Sequence, residues 1–141
     1  MVKKDLIAAK LAELADRLHR VRTHVPATVE ALAQDRDALD LVSFNLMLGV
    51  QACADIALHE LADEGWAVPT ELRGAFERLE EHGVISRATR TSLARAVGLR
   101  NIVAHGYGVV DPSMVHAAAV AGLADLERFA QEIAVWVASR P

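Results

Sequence analysis

The stretch DRDALDLVSFNLMLGVQACADIALHELA, residues 35–62, decides the fold. Leu39, Val42, Leu46, Val50, Cys53 and Ala57 recur in steps of three and four, the period of a helix. Leu41, Phe44, Met47, Leu48 and Ile56 add apolar side chains on most other sides, and a helix apolar nearly all round belongs at the centre of a domain or in a subunit interface. Ser43, Asn45, Gln51, Asp55 and His59 interrupt it too often for a membrane span.

Outward from this segment the chain keeps the same period. Upstream, Ile7, Leu11, Leu14, Leu18, Val21 and Val25 form one buried stripe on a long helix that Pro26 stops, and a turn or short helix covers residues 28–33. Downstream, the loop of Gly65, Trp66, Ala67, Val68 and Pro69 closes the central helix. Thr70 is then the expected N-cap of a shorter helix carrying Leu72, Phe76 and Leu79, with Gly83 as its C′ residue. Ser86 caps the next helix, in which Leu93, Val97 and Ala104 are expected to face inward. Gly106 and Gly108 break that helix. Asp111 and Pro112 supply an N-cap and a proline at the first helical position of the last one, whose stripe is Val115, Ala119, Gly122, Leu126, Phe129, Ile133 and Trp136.

A chain of 141 residues, 52% hydrophobic and 4% aromatic, buries one core. The expectation is therefore a single all-α domain over residues 1–141, an antiparallel bundle of four to five helices. Cys53 is the one cysteine and reads as a small core residue, with no internal disulfide to form. The N-terminus has no apolar export segment, which points to the cytoplasm and to no membrane partner.

Net charge is −4, which argues against coating nucleic acid through an overall field. The distribution is uneven: between His82 and Val110 there is no acidic residue, while Arg87, Arg90, Arg95 and Arg100 fall there. This suits a confined phosphate site, although Arg87, Arg90 and Arg95 read equally well as a solvated helix face. Inside the same segment, Arg100-Asn101-Ile102-Val103-Ala104-His105-Gly106-Tyr107 places a permanent cation, a titratable imidazole and a phenol within eight residues. Arginine presents a planar fork of donors to a phosphate, and imidazole takes or gives a proton near neutrality. Cleavage of a phosphodiester by its own 2′-hydroxyl needs both. On an ideal helix Arg100 and His105 lie roughly 140° apart, so they meet at one phosphate only if the helix loosens at its end or a second subunit completes the site. The second is the favoured device.

Arg-x-x-x-x-His-x-Tyr at the end of the penultimate helix resembles the signature of HEPN-domain proteins, specifically the HepT-like toxins encoded beside MNT-type nucleotidyltransferase antitoxins. The likeness extends over nearly the whole chain: residues 45–57, with Asp55 before a small apolar pair, residues 69–76, Leu79, Gly83-Val84-Ile85-Ser86 and Leu99-Arg100-Asn101 follow the family's order. The resemblance implies a metal-independent endoribonuclease without cofactor, a homodimer formed beside the motif helix, an RNA substrate and a nucleotidyltransferase partner. It implies that Arg100 neutralises the scissile phosphate, that His105 is the general acid or base, that Asn101 and Asp55 support them, and that Tyr107 accepts AMP from the partner, filling the cleft with negative charge.

Plain readings stand beside these. A histidine at a helix end caps carbonyls, Tyr107 between two glycines can pack over a turn, and Gln51, Asp55 and His59 form a polar stripe that suits a hydrogen-bonded interface as well as an active site. The remaining histidines show no metal-ligand spacing, so no metal site is expected. The alternative for the whole chain is a non-catalytic accessory subunit that positions a nucleotide for a nucleotidyltransferase.

Overall fold

The computed structural model describes residues 2–105 and 110–141, with side chains from residue 4 onward. Among the described residues it contains seven helices and no strand: α1 (Val2–His24), α2 (Val29–Gln34), α3 (Arg36–Asp63), α4 (Leu72–Glu81), α5 (Arg87–His105), α6 (Pro112–Val120) and α7 (Gly122–Ala138). The bundle is built around α3, which touches every other helix. By length and composition α3 would cross a membrane, yet 61% of its most apolar window is buried inside the fold. Val42, Leu46, Val50, Cys53, Ile56 and Ala57 are all core residues. Ile7, Leu14, Leu18 and Val21 of α1 enter the same core, and Phe76 of α4 meets Phe129 of α7 edge-on, with ring centroids 5.7 Å apart.

The count exceeds four or five because α2 is a helix of its own and because the last helix is interrupted at Ala121. That residue keeps right-handed helical angles, φ −85° and ψ −36°, so the apolar stripe carries through and α6 and α7 behave as one kinked helix. Asp111 caps as expected, its carboxylate accepting from the Ser113 amide, and Asp35 caps α3 in the same way, accepting from the Ala38 amide. Thr70 does not cap α4. Glu71 occupies that position without a side-chain bond, one residue later than the sequence pattern suggests, because Gly74 N–H already closes a turn on the Glu71 carbonyl. Gly65 and Gly83 have φ of +71° and +75°, and the bonds from Trp66 to Leu61 and from Val84 to Leu79 complete paired Schellman ends on α3 and α4.

Candidate active site

Helix α5 carries the motif, and its start is clamped by α7. The Ser86 hydroxyl accepts from the Thr89 amide at 3.2 Å, as an N-cap should. Glu132 of α7 then accepts from the Ser86 amide at 3.0 Å, the Ser86 hydroxyl at 2.9 Å and the Thr89 hydroxyl at 2.6 Å. Its carboxylate sits where the helix dipole is positive. Arg128, one turn earlier on α7, donates to Thr89 Oγ1 at 2.8 Å and to Ser92 Oγ at 3.1 Å. Together with the buried Leu93 and Val97, these contacts fix the direction in which α5 presents its far end.

At that end Arg100 is half-buried. Its Nε is sealed from solvent and has no hydrogen-bond partner among the described residues, nor does any described carboxylate pair with its guanidinium. Leaving a buried donor unmet costs about 1–3 kcal/mol, so such groups mark places where a fold is held for function. Elsewhere in the acid-free segment the arginines are ordinary: Arg90 pairs with Glu80 at 2.7 Å. Asn101 and His105 are exposed. The helix stays regular through His105, so within one subunit Arg100 and His105 point about 140° apart. Ala104, expected to face inward, is exposed, because α5 runs past the core and only its outer end borders the cleft described next. Tyr107, with its flanking glycines, lies outside the described residues.

Asp55 is placed elsewhere. It accepts from Gln51 Nε2 at 3.1 Å and from Lys10 Nζ at 3.5 Å, so it belongs to a polar seam between α1 and α3. The α3 residues that reach the end of α5 are Ser43, Phe44 and Met47, which with Arg36, Asp40, Val103 and Ala104 border a cleft of about 680 Å³. Met47 is eight residues before Asp55, about 12 Å of helix rise. Phe44 is 52% exposed, and Ser43 Oγ is buried without a partner among the described residues. Sequence reasoning passed over both. The available signal was Phe44, an aromatic residue turned about 120–160° around α3 from Leu46 and Val50. Among the described residues no three His, Cys, Asp or Glu side chains converge as a metal-binding group. Burial pushes the Cys53 thiol far above its ordinary range, leaving it unreactive.

Comparisons with known proteins identify the family. The family described as "Ribonuclease HepT-like" matches residues 14–133. The mRNA nuclease HepT of Shewanella oneidensis is 30% identical over 125 residues, spanning 89% of this chain and 93% of that protein. Among solved structures, the tri-AMPylated Shewanella oneidensis HEPN toxin in complex with MNT antitoxin superposes with a TM-score of 0.86 at 28% identity, covering 93% of this chain and 98% of that one. The Bacillus subtilis cytosolic protein YutE, of unknown function, shares the fold alone, with a TM-score of 0.82 at 13% identity over 95% of this chain and 90% of that one. With a family match over most of its length and a relative aligned nearly end to end, the chain belongs to the HepT-like family of HEPN-domain proteins, and is a ribonuclease.

Proposed function

We infer that this ribonuclease is the toxin of a toxin–antitoxin pair, a metal-independent endoribonuclease whose site is assembled from Arg100 and His105 of two subunits. The observation that carries the reading is Arg100, whose buried Nε has no partner among the described residues, on the same regular helix as an exposed His105 that points about 140° away from it. A twofold axis beside α5 brings one protomer's arginine to its partner's histidine. Exposed Phe44 and Ile102 give that contact an apolar edge.

In the reaction, one imidazole removes the proton of a ribose 2′-hydroxyl, and that oxygen bonds to the adjacent phosphorus. The bond to the 5′-oxygen breaks, the leaving oxygen takes a proton from a His105 imidazolium, and the products are a 2′,3′-cyclic phosphate and a 5′-hydroxyl. Arg100 neutralises the charge that builds on the phosphate oxygens, where a preorganised cation is worth most. Asn101, beside it, orients the phosphate. The antitoxin is an MNT-type nucleotidyltransferase, a reading supported by the solved complex of a tri-AMPylated relative with such a partner. Tyr107 attacks the α-phosphorus of ATP, pyrophosphate leaves, and the new phosphodiester excludes RNA by charge. The setting is the cytoplasm.

The test is incubation of the purified protein with RNA in EDTA. The wild type cleaves; Arg100→Ala and His105→Ala fall by at least about a hundredfold, the scale of losing one transition-state contact. Cleavage by His105→Ala at the wild-type rate removes the proposal. Mass spectrometry after exposure to partner and ATP shows added AMP, absent in Tyr107→Phe.

A further inference from the structure

Helix α5 contains a glycine at its middle, Gly98, in right-handed helical backbone where alanine would be about 1 kcal/mol better. What the missing side chain admits is Arg73 of α4. A Cβ built on Gly98 would stand 3.2 Å from Arg73 Nη2, the one contact within 4 Å from outside the helix's own backbone among the described residues. Arg73 Nε donates to the Ala94 carbonyl at 3.3 Å, sharing an oxygen that already serves the helix bond from the Gly98 amide. The arginine is exposed but laid flat against the helix by this seat, and among the described residues no carboxylate pairs with it. Glu77, one turn further along α4, is exposed and does not bridge to it. Most other arginines of the fold are paired: Arg20 with Asp16, Arg22 with Glu127, Arg78 with Glu81, Arg90 with Glu80, Arg128 with Asp125, and Arg140 with Glu64.

The seat lies on the face of α5 that also carries His105. Gly98 and His105 are seven residues apart, two turns, which returns to within about 20° of the same side after about 10 Å of rise. Asn101 falls between them, and no acidic residue occurs from His82 to Val110. A guanidinium held on a helix carbonyl has one edge committed and the other free, which suits it to a phosphate oxygen.

We propose that Arg73, seated on Gly98, is a phosphate-binding residue of the RNA site: it holds a phosphate next to the scissile one as the strand runs along the outer face of α5. This rests on the ribonuclease reading above. Arg73 makes no contact with the reacting atoms and acts on affinity and on substrate length.

The experiment measures binding of a 2′-O-methyl oligoribonucleotide, which resists cleavage, by fluorescence anisotropy over a range of salt, together with cleavage of the corresponding RNA and of a dinucleoside monophosphate. In Arg73→Ala, affinity falls about tenfold and the salt slope flattens by about 0.7, the value for one lost contact to a single strand. On the long substrate KM rises while kcat holds, and the dinucleotide is cut as by the wild type, since it lacks the second phosphate. Arg73→Lys retains the salt slope. Gly98→Leu keeps every charge and improves helix propensity, yet reproduces Arg73→Ala because the seat is filled. If the wild type binds and cleaves RNA and Arg73→Ala does the same with an unchanged salt slope, Arg73 has no such role while the nuclease reading stands. Equal loss on long and short substrates with a lowered melting temperature makes it structural, and loss confined to antitoxin binding makes it a docking contact. A wild type that neither binds nor cuts RNA overturns both readings together.

Discussion

Arg100 holds a buried, unpartnered Nε at the edge of an apolar core, and a chain selected for stability alone would not keep it. Arg100→Met preserves the aliphatic stem and removes the unmet donor, so the melting temperature should rise by about 2–4 °C, the shift for roughly 1 kcal/mol in a domain of this size, while RNA cleavage is lost. A thermal melt read beside an activity assay checks both halves. Glu60 is a second buried polar group without a catalytic reason. It is 4% exposed, and burial first, then the neighbouring Glu64 and Asp63 charges, raise its carboxyl above the ordinary range, against the Trp136 indole N–H and Arg140, which lower it. A raised folded-state value means that Glu60 favours folding while protonated, and that this contribution is lost as pH climbs through the raised value. Glu60→Gln keeps an oxygen for the Trp136 indole, which donates at 2.9 Å. The variant should therefore match the wild type near pH 4 and melt about 1–3 °C higher near pH 8.

Among elements, α5 is the one whose placement matters for chemistry, and α7 sets it through Glu132. Replacing this carboxylate by alanine leaves the Ser86 amide and the Thr89 hydroxyl without their acceptor. Glu132→Ala should cost about 1–3 kcal/mol by denaturant titration, the scale of orphaning hydrogen-bonded groups at a helix start. The long helices and two of the three expected caps were legible because they rest on local chemistry: Ser86 and Asp111 each cap within three residues, and the α3 stripe is periodic. Thr70 misled for the same reason, since a neighbouring turn moved the cap by one. Phe44, Ser43 and Arg73 were not legible as site residues. Each gains its meaning only from packing against α5, more than twenty residues distant along the chain, and no local pattern encodes that juxtaposition. Asp55 was singled out by its family position; it lies on the Phe44 side of α3 but about three turns further along, bonded to Gln51 and Lys10.

For the whole molecule, the decisive question is whether one site draws on two chains. A mixture of Arg100→Ala and His105→Ala, denatured and refolded together, answers it. If the arginine and histidine of a site come from different protomers, each mixed dimer retains one intact site and loses the other. Half of the dimers being mixed, about a quarter of wild-type cleavage should return, provided the subunits associate as a symmetric pair. No recovery above either variant alone places both groups in one chain.

Trp66 lies stacked on His82 at 3.7 Å, and Trp136, 6.0 Å from Trp66, sits under Arg140. These are the two tryptophans of the chain, and they gather where α5 begins, about 27 Å of helix rise from His105. Ultraviolet emission from this protein is therefore an optical gauge of folding at the quiet pole of the bundle. It stays blind to a nucleic acid arriving at the other, where a dye must be installed to see it.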